Sequence, residues 1–221
     1  MLDIGEKLRT ARMGQTMSLR ELAEKAEVSA SLLSQIENGK ANPSVRSLYS
    51  IAAALSLPVD YFFPDYGDQT VEIEEFSNAV SEMTPSQLRA RPNQALFDET
   101  NFFGNQQAPQ SKGPMVCKNK RASIELMGGV IWQRLTPSSE ENIEFMEVSY
   151  AVGATSGRAM SHHVGREYGL VLEGELTVEL GFERYVLHPG DSITFDSTRP
   201  HRMVNNGSAP VRAIWVVLDG S

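Results

Sequence analysis

Two imidazoles and one carboxylate stand at spacings that could hold a metal. Residues 161–174 read SHHVGREYGLVLEG and residues 187–205 read LHPGDSITFDSTRPHRMVN. In the first stretch a His is followed four residues later by a Glu and seven beyond that by a Gly, which can bring imidazole and carboxylate together on neighbouring strand ends. In the second, Pro189-Gly190-Asp191 precedes Pro200-His201 and Asn205, and could return another imidazole to the same point. Two His and one carboxylate around an open position form a facial set for a divalent cation. A pocket that takes an organic anion uses the same residue types equally well. Tyr150, Arg158, Arg166, Tyr168, Met203 and Trp215 lie in or beside the same strands, and an Arg would suit a carboxylate or phosphate group. For the aromatic and Met residues, core packing is the ordinary expectation. For each Arg it is a solvated surface.

A second chemistry is written into residues 18–38, SLRELAEKAEVSASLLSQIEN. This is a pair of short amphipathic helices joined by a tight turn that Val28 plugs. On the second helix Leu33 and Ile36 form the buried side, leaving Ser29, Ala30, Ser31, Ser34 and Gln35 facing away. Small and amide side chains suit a helix entering a major groove about 12 Å wide, where Gln can pair bidentately with adenine. Double-stranded DNA is therefore the first candidate partner. A protein-interaction module without a DNA role is the other reading of such a helix pair.

The elements that must position these residues divide the chain. Ile4, Leu8 and Ala11 stripe a first helix. Ser18 with Glu21 is a capping box, opening a helix whose Leu19, Leu22, Ala23 and Ala26 share one face. A third helix runs from about Ser29 to Asn38 and stops at Gly39. Asn42-Pro43-Ser44 starts a fourth bearing Val45, Leu48, Ala52 and Leu55, and residues 58–63 give a last short turn closed by Pro64. Five short helices around one small core are expected. Periodicity fades between about 65 and 113, which reads as a linker with a strand at Thr70–Phe76. Nine strands are expected after Lys118: Ala122–Leu126, Val130–Leu135, Ile143–Ala151, Tyr168–Leu172, Glu175–Leu180, Tyr185–Leu187, Ser192–Phe195, Arg202–Asn205 and Val211–Leu218. Leu176, Val178 and Leu180 alternate with polar neighbours, the pattern of a half-buried strand. Many short strands without intervening helices favour a sandwich or barrel.

Residues from about Ile4 to Phe63, above all SLLSQIENGKANPS, resemble the XRE-type, phage-repressor-like helix-turn-helix family. The resemblance implies that Ser29, Ser31 and Gln35 face base edges, with Ala30 and Ser34 on the same ridge. It also implies that Leu19, Arg20, Lys40 and Arg46 approach phosphates. Residues 116–221 resemble the cupin superfamily in Gly190-Asp191, Pro200-His201 and Glu173-Gly174. Counting back from Gly174, the family's Glu falls on Glu167, its second His on His163 and its first His on Ser161. His162 sits one residue off and points to the opposite strand face. The implied ligands are His163, Glu167 and His201, with Ser161 a poor fourth, for a divalent metal such as Zn, Ni, Mn or Fe. Tyr150, Arg158, Tyr168 and Met203 are the expected ligand-binding residues, His162 a surface or outer-sphere residue and His188 a turn residue. The fold expected is multidomain, α and β. A five-helix helix-turn-helix bundle (1–66) leads through a linker (67–115) to a cupin β-barrel of jelly-roll type (116–221).

Composition narrows the function classes. Of 221 residues, 41% are hydrophobic and 22% charged, a globular balance. The N-terminus, MLDIGEKLRT, has no apolar segment and no stretch is long enough to span a bilayer, so a cytoplasmic protein without a membrane partner is expected. Cys117 is the only cysteine, which excludes an internal disulfide framework. Net charge is −8, with seven Lys/Arg against eight Asp/Glu in residues 1–66 and thirteen against twenty beyond. A helical module at −1 with no cation on its recognition helix should grip phosphate weakly, so two linked copies in a homodimer are expected to read two half-sites. The function expected is a transcriptional regulator, not an enzyme, whose cupin domain dimerises and senses a small-molecule effector or metal. A metal-dependent cupin enzyme of dioxygenase or isomerase type, with an accessory DNA-binding domain, is the alternative.

Overall fold

A computed structural model of the chain describes residues 4–64, 114–140 and 142–218. All of these belong to one compact unit. The expected linker lies almost wholly outside the described residues, as does the strand anticipated at Thr70–Phe76.

The helical part has four α-helices: α1 (Ile4–Gly14), α2 (Leu19–Lys25), α3 (Ala30–Glu37) and α4 (Val45–Ala54). Serines set three of the starts. Ser18 Oγ accepts from Glu21 N at 3.2 Å while Ser18 N donates back to the Glu21 carboxylate at 2.7 Å, closing the capping box. Ser29 and Ser44 accept in the same way from Leu32 N and Ser47 N. Gly39, at φ 65°, ends α3: its N–H reaches Ile36 O and that of Lys40 reaches Gln35 O, satisfying carbonyls that would otherwise be orphaned. Leu8, Leu22, Leu33, Ile36, Leu48, Ile51 and Leu55 converge on one core with Phe62 and Phe63. The expected fifth helix is instead a single 3₁₀ turn, Val59–Phe62. Pro58 and Pro64 leave room for one turn only, closed by Tyr61 N to Pro58 O and Phe63 N to Asp60 O.

Nine strands follow: β1 (Ser123–Leu126), β2 (Val130–Arg134), β3 (Ile143–Tyr150), β4 (Arg166–Glu173), β5 (Leu176–Leu180), β6 (Glu183–Leu187), β7 (Ser192–Asp196), β8 (His201–Val204) and β9 (Val211–Leu218). They pair antiparallel in two sheets, a six-stranded one ordered β1-β2-β3-β9-β4-β7 and a three-stranded one ordered β6-β5-β8. Bridges from Thr155 to Val204 and from Ser161 to His201 extend the smaller sheet past β8. Alternation explains the sandwich. On β9, Val211, Ala213, Trp215 and Val217 are buried while Arg212, Ile214 and Val216 are less so, and β4 alternates likewise. β5 departs from its half-buried expectation, being buried along its whole length. Asn206 Nδ2 donates to Thr177 Oγ1, and Arg184 and Arg202 cover Glu179, so the polar face of this central strand is shielded as well.

Candidate functional site

His163, Glu167 and His201 meet at one end of the sandwich. β4 carries Glu167 on its inward face, directly opposite Phe195 and Val217 in register. His201 opens β8, and the Ser161–His201 bridge holds the strand that leads to His163 alongside it. Glu167 Oε1 lies 2.9 Å from His163 Nε2 and 3.1 Å from His201 Nε2. The three prospective ligand atoms fall within 4.8 Å of one another.

The protonation pattern favours a cation at this point. His163 Nδ1 faces the Val164 carbonyl at 3.1 Å and His201 Nδ1 faces the Arg199 carbonyl at 2.9 Å. A carbonyl only accepts, so each Nδ1 carries a proton and each Nε2 is directed toward the carboxylate, where it can donate a proton or bind a metal ion. A proton or a metal ion between each Nε2 and Glu167 Oε1 meets this arrangement. His163 Nε2 and Glu167 Oε1 are also buried atoms with no hydrogen-bond partner. The residues present therefore fit a divalent metal, held by the two Nε2 atoms and the Glu167 carboxylate, with the neighbouring carbonyls orienting the rings. Such an ion would supply a Lewis-acidic centre that polarises a bound oxygen.

Charge and burial compete within the triad. Burial opposes ionisation of Glu167, but His163 and His201 outweigh it and take the carboxyl down to about 2. Burial likewise lowers His201, and the adjoining Glu167 carboxylate overcomes this, so its net shift is upward. Trp215 completes the arrangement. Its Nε1 donates to Glu167 Oε2 at 2.7 Å, fixing the second carboxylate oxygen. The ring fits because Gly169 lies directly across the β4–β9 ladder: a Cβ there would stand 2.2 Å from Trp215 Cζ3.

The space beside the triad is small. About 20 Å³ is open to the centre of a water-sized sphere, enough for a single water or ion. Tyr150 and Met203 line it, and Ser161 reaches within 3.5 Å of His201 Nε2. Tyr150 has its hydroxyl pushed upward by burial and by the Glu167 charge. Two other expected ligand-binding residues lie elsewhere. Tyr168 is on the outer face of β4, 41% exposed, because side chains alternate along the strand and Glu167 takes the inward position. Arg158 is exposed in the loop after β3, where only its carbonyl is engaged, by Arg202. Arg166 is exposed beside Thr194, His162 is exposed, and His188 sits in the turn before Asp191.

Helix α4 closes this cavity, which the sequence reading missed. Val45 and Tyr49 both line it. The Tyr49 ring stacks on His163 at 4.4 Å between centroids and 7° between planes, and its hydroxyl donates to Glu144 at 2.8 Å. Further ties join the helical and β parts: Met127 N to Pro43 O at 2.8 Å, and the buried Asp60–Arg134 ion pair at 3.1 Å. A signal was available: Val45, Tyr49 and Ala53 form an i, i+4, i+8 stripe beside the one that faces the bundle core.

On the DNA-reading side, Ser31 and Gln35 are exposed on α3 while Leu33 and Ile36 are fully buried behind them. Ala30 and Ser34 are half-buried, and Ser29 is the N-cap rather than a helical residue. Arg20 and Lys40 are exposed, while Leu19 packs partly against the core. Arg12 clamps Glu37, the acidic residue of α3, at 2.6 and 2.9 Å, offsetting a charge that would repel phosphate. Arg46 is exposed as well; its backbone N–H donates to Ser156 O at 3.4 Å and its Cβ lies close to Gly157.

A capped helix pair with an exposed polar ridge, joined to an antiparallel sandwich with a His/Glu/His cluster, defines a helix-turn-helix protein with a cupin domain. Residues 8–62 match the helix-turn-helix family and residues 146–217 match the cupin domain family. The chain is 40% identical over 77 residues to the transcriptional regulator ClgR of Mycobacterium tuberculosis, spanning 35% of this chain and 69% of that one. It is 23% identical over 212 residues to the HTH-type transcriptional regulator PuuR of Escherichia coli, spanning 95% and 91%. A crystal structure of a helix-turn-helix family transcriptional regulator from Vibrio cholerae has the same fold, with a TM-score of 0.58 at 21% identity, covering 99% of this chain and 96% of that one. The chain belongs to the XRE-type helix-turn-helix transcriptional regulators that carry a C-terminal cupin domain. Among the described residues no helix is long and apolar enough to cross a membrane.

Proposed function

We propose that the protein is a cytoplasmic, homodimeric regulator that binds double-stranded operator DNA through α3 and whose cupin part senses a small molecule at a metal-holding site. Residues 1–66 would read DNA, 116–221 would sense, and 67–115 would connect them. The observation that carries this reading is the contact between the two chemistries: Tyr49, on a helix of the DNA-reading bundle, stacks on His163 of the triad. Ser31 and Gln35 would reach base edges, with Arg20 and Lys40 on phosphates. An enzyme reading draws support from the triad, but the likeness of the chain to named transcriptional regulators supports regulation. Regulation without catalysis fits better.

The test is fluorescence anisotropy of the full chain on duplexes it selects from a random pool, after chelation and after addition of Zn²⁺, Ni²⁺, Mn²⁺ or Fe²⁺. At least one ion should change DNA affinity about 5-fold or more, and His201→Ala should abolish the response. Affinity that is the same with every ion and with none would refute metal-linked sensing.

A further inference from the structure

Beside the closed cavity lies a second, larger space. It is bounded by α2 and α4 on one side and by residues 160–164 and Thr198 on the other, and about 610 Å³ is open to a water-sized sphere. That is within the range of small-molecule sites. Lys25 and Arg46 line it together with His162, and Glu27 is the one carboxylate among the described lining residues, so in a chain of net charge −8 the described wall of this cleft carries a net positive charge from Lys25 and Arg46. Ala53, Met160 and Val164 supply apolar wall. Tyr49, Ser161 and His163 border both this cleft and the inner cavity, so the stacked Tyr49 ring is part of the partition between them.

We infer that this cleft binds a small organic anion, and that Tyr49 is its movable floor. The charged end of the ligand is drawn by Lys25 and Arg46, and its apolar body packs on Met160, Val164 and the Tyr49 ring. A ligand reaching the His163–Glu167–His201 cluster must first unstack Tyr49 from His163. Tyr49 is fixed to α4, which packs on α2, the helix that precedes the recognition helix. Ligand entry therefore shifts the frame that positions α3. This rests on the sensing role proposed above and assigns its ligand class and its entrance.

The two tryptophans of the chain, Trp132 and Trp215, both line the inner cavity and are buried, so their fluorescence reports access to it. The experiment is quenching of the full chain, without DNA, by iodide, caesium and neutral acrylamide at constant ionic strength. Wild type should resist both ions. Tyr49→Ala should be quenched by iodide about tenfold more effectively than by caesium, because a basic cleft concentrates anions. Adding Lys25→Gln and Arg46→Gln should remove that preference. Hexanoate should protect Tyr49→Ala from iodide better than inorganic phosphate does. Should Tyr49→Ala unfold, shown by equal gains for all three quenchers, Tyr49→Leu decides instead, since it keeps bulk without the ring. Equal quenching by iodide and caesium in the folded variant, no gain over wild type, or better protection by phosphate would each overturn the inference. Metal-linked DNA binding would survive such a failure, so the two outcomes are separable.

Discussion

Each imidazole of the triad owes its orientation to a backbone carbonyl, and the carboxylate owes its own to an indole. Trp215 holds Glu167 Oε2, which leaves Oε1 aimed at the two Nε2 atoms. Partners of this kind tune affinity without touching the ion. Trp215→Phe should keep the packing, lose the hydrogen bond and weaken divalent-metal binding about 10- to 100-fold by calorimetry; unchanged affinity would remove Trp215 from the site. His163, Glu167 and His201 were legible because their spacing around Gly and Pro signals is local. The Trp215 contact was not, since it depends on a β4–β9 pairing between strands about 45 residues apart, and on the missing side chain at Gly169. Tyr168 lies on the opposite strand face from the triad, because chain proximity to Glu167 says nothing of which face a residue takes.

At the scale of elements, the central pairing of β3 with β9 is reinforced on its outer face by charge. Glu147 on β3 receives Arg212 from β9 at 2.7 Å and Arg121 from the segment before β1 at 2.7 Å. The Arg212 hydrogen bond lowers the Glu147 carboxyl against the opposing effect of burial, and Arg121 adds to it. A carboxylate depressed in the fold contributes stability above its unfolded value, about 4.3, and that contribution is lost as pH falls through the folded value. The chain should therefore lose stability below about pH 4, and Glu147→Gln should lower stability at pH 7 while flattening part of that acid loss in urea titrations. An unaltered pH profile in the variant would contradict the assignment. Strand and helix positions were largely visible in the sequence, because alternation, capping serines and Gly or Pro stops are local signals. Three features were not. Two flanking prolines confine the last turn of the bundle to 3₁₀ geometry. β5 is buried on both faces, by the apolar core on one and by Asn206 and arginines of neighbouring strands on the other. Helix α4 serves two cores at once, which a single amphipathic stripe does not reveal.

For the whole molecule, the decisive feature is that α4 serves both the helical bundle and the cavity beside the triad. Its Leu48, Ile51 and Ala52 belong to the bundle core that supports α3, while its Val45 and Tyr49 seal the cavity beside the metal-fit triad. A net charge of −8 and a recognition helix without Lys or Arg leave little nonspecific grip on phosphate, so under the proposed function recognition would fall to Gln35, the serine hydroxyls and the pairing of two copies. The most direct measurement is discrimination between a selected duplex and a scrambled one by the full chain, compared with the Ser31→Ala/Gln35→Ala double variant. Loss of one good base-edge contact is worth about 1–3 kcal/mol, so discrimination should fall about 10-fold or more while the fold is retained. Undiminished selectivity in the double variant, or a wild-type chain that does not distinguish the two duplexes, would contradict DNA reading by α3.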